Sequence, residues 1–170
     1  MNTEQLRALQ APLKDRYRDQ PATARITLHA DGRLGDGVSC SVQTGQALVR
    51  AGLHPATGGD GLAACSGDML LQALVACAGV TLNAVATALG IVLRDARVHA
   101  EGDLDFRGTL GVAKEAAVGF QAIRLRFDLD TDASAEQLAT LLRLTERYCV
   151  VYQTLAHAPS MSVSHAIVRS

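Results

Sequence analysis

From Met69 to Leu93 the chain reads MLLQALVACAGVTLNAVATALGIVL, twenty-five residues without a charge. A helix of that character offers no polar face to water, so it must be enclosed on every side. A bilayer is one enclosure, since a span needs about 20 apolar residues. Against a membrane stand Gln72, Thr81, Asn83 and Thr87, two glycines, and many alanines where lipid-facing helices favour Leu, Ile and Phe. Arg94 closes the run, with no basic cluster at its other end. The sequence therefore reads as a non-membrane protein with a buried central helix. In a chain of 170 residues one thin sheet cannot cover such a helix alone. A second subunit is the economical cover.

The rest of the composition narrows the class. Hydrophobic residues make up 48% and charged residues 19%, which excludes a disordered tail. The formal charge is -1 and no polybasic run occurs, which argues against nucleic-acid binding. The polar, amphipathic start MNTEQLRALQAPLKDRYRDQ is unlike an apolar signal segment, so the chain reads as cytoplasmic with its four cysteines reduced.

Turn and cap residues divide the chain. Leu6, Leu9, Leu13 and Tyr17 have helical spacing within a first helix over Thr3–Arg18, with Thr3 as N-cap and Pro21 beyond its end. Strands are expected at Ala24–Ala30, Gly37–Gln43 and Ala47–Ala51, separated by turn residues. His54–Gly67 is glycine-rich and reads as a loop. The long helix follows, with Ser66 as N-cap, Asp68 in its first turn and Gly90 as its stop. Strands are expected at Val92–Phe106 and Gly119–Asp130, around a loop of small residues from Gly108 to Val118. Ser134 and Gln137 form a capping box for a last helix, and Met161–Val168 reads as a closing strand. Strands cluster in hairpins and do not alternate with helices, so the class is α+β, as a single domain over 1–170 with residues 1–20 as a helical extension.

Chemistry-bearing residues are few. Cys40, Cys65, Cys77 and Cys149 form no CxxC pair, and the five histidines show no HxH or HExxH spacing, so neither a zinc site nor any other metal centre is indicated. No nucleotide-binding glycine motif is present. Cys40 reads as a small core residue of a strand, and Cys65 as a loop cysteine at the approach to a helix. Cys77 lies among apolar residues in ALVACAGVTL, and Cys149 has Glu146, Arg147, Tyr148 and Tyr152 close in sequence. Two cysteines on different helices form a reversible disulfide only if the fold brings them together, which spacing alone does not decide.

At these residues a resemblance enters. The stretch GGDGLAACSGDMLLQALVACAGVTLNAVA resembles the signature of the OsmC/Ohr family, the osmotically inducible and organic-hydroperoxide-resistance proteins, and ERYCVVYQTL is similar to the family's second cysteine element. The resemblance runs from about Ala24 to the end. It implies an intertwined α+β homodimer, with antiparallel sheets wrapped around two central long helices. It also implies thiol-dependent reduction of small organic or lipid hydroperoxides, with Cys77 as peroxidatic thiolate, Cys149 as resolving thiol, no bound cofactor, and an external dithiol reductant.

The family supports its thiolate with an arginine held by an acid. The acid of its best-studied branch lies ten positions before the cysteine, which here is Gly67. Asp68, at nine positions, lies roughly 180° around the helix from that thiol's direction. Asp68 either supplies the acid, as in other branches, or caps the helix. Arg50 is the first candidate for the cation, with His54 and Arg33 as substitutes. The family's Cys-Pro is absent, since Val150 follows Cys149. Two other readings stay open: a non-catalytic dimer that binds a small apolar ligand or carries a redox signal, and a plain dimerisation module.

Overall fold

The computed structural model describes residues 2–19, 32–34, 39–43, 48–111 and 113–168. In order the elements are α1 (Thr3–Asp19), β1 (Gly32–Leu34), β2 (Ser39–Gln43), β3 (Leu48–Gly52), β4 (Ala64–Cys65), α2 (Ser66–Leu89), β5 (Asp95–Asp103), α3 (Phe106–Thr109), β6 (Ala122–Asp130), α4 (Ala135–Tyr148) and α5 (Val150–Ala156). The α+β class is observed. One sheet has the order β1-β2-β3-β4, and the other is the hairpin-like pair β5-β6.

The central helix takes its limits from its ends. Gly90 has a positive φ of 70°, and its N–H bonds to the carbonyls of Ala86 and Thr87. Such a left-handed turn suits glycine and satisfies carbonyls that the helix leaves open. One face of α2 carries Leu74, Ala78, Leu82, Val85 and Ala86, all buried. Leu82, Val85 and Ala86 pack with Leu141 of α4, while Leu74 and Ala78 pack with Cys149. The β5-β6 pair lies across this face, with Val98 opposite Phe127 and Ala100 opposite Leu125. Its outer face is charged: Arg124 binds Glu101 and Asp103, and Asp128 binds Arg126 and His99.

Several expectations are corrected. Asn2, not Thr3, caps α1: its side chain accepts from the Gln5 N–H at 2.8 Å. Thr3 instead donates its hydroxyl to the Thr87 carbonyl at 2.9 Å and ties α1 to the end of α2. A strand at Gly32–Leu34 pairs with β2 where a turn was expected at its start. The loop before α2 holds β4, which pairs with β3 in parallel, so this sheet is mixed. Cys65, not Ser66, occupies the N-cap of α2, because pairing with β3 keeps Cys65 extended until Ser66. The expected loop from Gly108 receives the end of α3, one turn capped by Asp105. Met161–Val168 forms no strand; Met161, Val163 and Ile167 are 90%, 97% and 82% exposed. The strand expected at Ala24–Ala30 lies outside the described residues. The capping box is observed: Gln137 N–H donates to Ser134 Oγ at 3.2 Å, and Ser134 N–H to Gln137 Oε1 at 2.9 Å.

Candidate functional site

Two cysteines distant in sequence meet under the β5-β6 sheet. Cys77 lies in the middle of α2, beside the buried residues Leu74 and Ala78. Cys149 is fully buried and marks a break that sequence reasoning missed. With φ -73° and ψ 107° it leaves helical geometry, ending α4 and serving as N-cap of α5. Its Sγ accepts the Tyr152 N–H at 3.5 Å. The only hint in the sequence is the pair Val150-Val151, whose branched side chains weaken a helix modestly.

That break aims donors at Cys77. Burial pushes the Cys77 thiol up, but hydrogen bonds from the Val151 N–H, the Cys149 thiol and the Val150 N–H outweigh it, and the thiol ends below its ordinary value. Cys149 moves the opposite way. Burial raises it, and the neighbouring Cys77 sulfur raises it further against the Tyr152 N–H. Of the pair, Cys77 is thus the sulfur that gives up its proton more readily and Cys149 the one that holds it, the division expected when one anion would sit beside a second acid. Both are free thiols in this structure. The surroundings are apolar, including Val98, Ile123, Leu125, Phe127 and Leu155.

The other sequence candidates lie elsewhere in the chain. Asp68 is exposed in the first turn of α2, nine residues before Cys77 and thus about 13 Å along the helix axis. Arg50 is exposed in β3 and is not among the groups acting on Cys77. His54 caps a turn at Pro55–Thr57 through Nδ1, which accepts the Ala56 N–H at 3.1 Å, and stacks on Phe106 at 5.0 Å. Its acceptor Nδ1 places the proton of the neutral ring on Nε2. Arg33 belongs to β1. Cys65 is separated from Cys77 by twelve residues of α2, about 18 Å. That is far beyond the roughly 4.4–6.8 Å between α-carbons of a disulfide, so these two cannot join within one chain. Among the described residues no cluster of His, Cys, Asp and Glu is arranged to hold a metal ion.

The fold is shared with solved structures. An OsmC-like protein from Mycoplasma pneumoniae is 18% identical, covers 78% of this chain and 89% of its own, and superposes with a TM-score of 0.65. An organic hydroperoxide resistance protein from Elizabethkingia anophelis, with thiocyanate bound, is 14% identical over 79% of this chain and 91% of its own, at a TM-score of 0.63. The organic hydroperoxide resistance protein OsmC from Legionella pneumophila is 17% identical over 78% and 90%, at 0.61. No curated protein sequence matches the chain. The OsmC-like protein family matches residues 58–164, which include both Cys77 and Cys149. With more than half its length inside that match, the chain belongs to the OsmC-like family.

Proposed function

We propose that the protein is a thiol peroxidase that reduces organic hydroperoxides. The observation that carries this reading is the Cys77–Cys149 contact, in which backbone N–H groups and a thiol support one sulfur as an anion beside a buried, protonated second sulfur. The Cys77 thiolate attacks the distal peroxide oxygen and the O–O bond breaks. The alkoxide takes a proton and leaves as the alcohol, and Cys77 becomes a sulfenic acid. The Cys149 sulfur then attacks Cys77, forming the disulfide and releasing water. An external dithiol restores both thiols by exchange and is itself oxidised to a disulfide. The apolar lining favours an organic peroxide over hydrogen peroxide. One equivalent of cumene hydroperoxide should give a Cys77–Cys149 disulfide by mass spectrometry, and Cys149→Ser should trap a sulfenic acid at Cys77. A bridge through Cys65, or no bridge, would sink the assignment.

The same reading makes the protein a homodimer with two α2 helices at its centre. Opposite its buried face, α2 presents Leu70, Ala73, Ala76 and Val80 to solvent at helical spacing, and Val80 is 74% exposed. The interface expected for such a permanent pair is about 2,000 Å² or more. In that assembly Arg50 reaches the partner's thiol and adds a cation that remains charged when buried. Sedimentation should show a dimer at low micromolar concentration, and Arg50→Met should slow peroxide reduction by more than about tenfold, the worth of one pKa unit. A folded monomer would remove the dimer, and an unchanged rate would remove Arg50.

A further inference from the structure

The break at Cys149 leaves a cavity between the two helices it joins and the sheet. Glu146 of α4 and Tyr152, Leu155 and Ala156 of α5 form one side. β6 forms the other, where alternation turns Ile123, Leu125 and Phe127 inward. The volume is about 410 Å³, a size typical of small-ligand sites. The corner is tied from within. The Val150 N–H is turned to Cys77, so the Glu146 carbonyl accepts the side-chain N–H of Gln153 instead, at 2.8 Å. Neither sulfur lines the space, which sets it apart from the thiol pair.

Two features of the wall select for a cation. The chain has three Phe, three Tyr and no Trp, yet Phe120, Phe127 and Tyr152 all stand here. Ring faces attract cations. The second feature is the exposed Glu146. Asp103, Asp105, Asp128 and Asp130 are each paired with an arginine, whereas Glu146 is in no ion pair among the described residues. Its neighbour Arg147 lies instead over the Tyr148 ring, 5.6 Å from the centroid. Gln121, also in the wall, offers an amide oxygen. We propose that this cavity binds a small primary amine with an apolar body, its ammonium held by Glu146 and Gln121 and its body among the rings and Leu155. The site is independent of the peroxidase reading.

The test is calorimetry on the reduced protein with phenethylamine, and with phenethyl alcohol and ethylamine as comparisons for the charge and for the apolar body. Phenethylamine should bind once per chain, at least about tenfold tighter than the alcohol, the scale of a charge-assisted hydrogen bond. It should also bind at least about tenfold tighter than ethylamine, which has no ring to bury. Glu146→Gln should bring the amine-to-alcohol affinity ratio to within about threefold of one, since the charge it recognises is gone. Glu136→Gln removes an exposed acid at the start of the same helix, outside the cavity, and should keep the wild-type ratio. Equal affinity for amine and alcohol, or no binding of any of the three at millimolar concentration, overturns the proposal. So does a preference that survives Glu146→Gln or is lost equally in Glu136→Gln.

Discussion

Cys77→Ser should abolish hydroperoxide reduction, with a loss of at least about a thousandfold, because removing a nucleophile removes the whole covalent route. Serine keeps the size and a hydrogen-bonding atom, so the fold around Leu74 and Ala78 persists and the loss reports chemistry. Peroxide consumption followed with a dithiol reductant checks it; residual activity above a tenth of wild type would assign the reaction to another thiol. The wild type should show a matching pH profile. The thiolate is the reactive form, and the Cys77 thiol lies below the ordinary thiol value. Its rate should therefore hold steady above that lowered pKa and fall by about tenfold for each pH unit below it. Because the shift is downward, the acid limb should lie below that of a free cysteine in the same assay. A limb at or above the free-thiol position would show that the N–H groups of Val150 and Val151 do not support the anion.

Leu141→Ala should strongly destabilise the fold. Leu141 is fully buried between α4 and the α2 residues Leu82, Val85 and Ala86. Emptying such a position costs about 2–5 kcal/mol. For a chain of this size that corresponds to a fall of roughly 4–20 °C in melting temperature. Thr145, one turn on and equally buried, supplies the comparison. Its hydroxyl donates to the Leu141 carbonyl at 2.8 Å, a bond within the helix that adds to the helix's own. Thr145→Val keeps the shape and leaves no orphaned group, so it should change stability by less than about 1 kcal/mol. Equal losses for the two variants would show that the Thr145 hydroxyl bond within α4 counts for as much as the packing of Leu141 against α2.

The parts of the fold read from the sequence are those set by neighbours along the chain. Ser134 and Gln137 cap each other across one turn, Gly90 stops α2 by its own backbone freedom, and the alternation in β6 follows from one wet and one covered face. The parts missed depend on contacts between distant segments. Cys65 is held extended by β3 and takes the N-cap, so the helix starts at Ser66, one residue before the start expected with Ser66 as the cap. The expected strand at Met161–Val168 has the right alternation, but a strand forms only when it pairs, and among the described residues none pairs with it. The site divides the same way. Resemblance supplied the two cysteines, while the donors around Cys77 come from a helix break at Cys149 that no cap residue announces.

Cys149 closes one helix with its backbone N–H, given to the Thr145 carbonyl, and opens the next with its sulfur, which accepts the Tyr152 N–H. Serine is a better opening residue than cysteine, since its oxygen readily accepts the N–H groups of a first turn. Replacing the sulfur with oxygen should leave the corner between α4 and α5 in place, with Val150 and Val151 still directed at Cys77. A cysteine-to-serine exchange often confounds a chemical loss with a structural one. Here the architecture separates them: a corner that holds any small acceptor stays in place, and what Cys149→Ser changes is the sulfur itself, both as the partner for a disulfide and as a hydrogen-bond donor to Cys77.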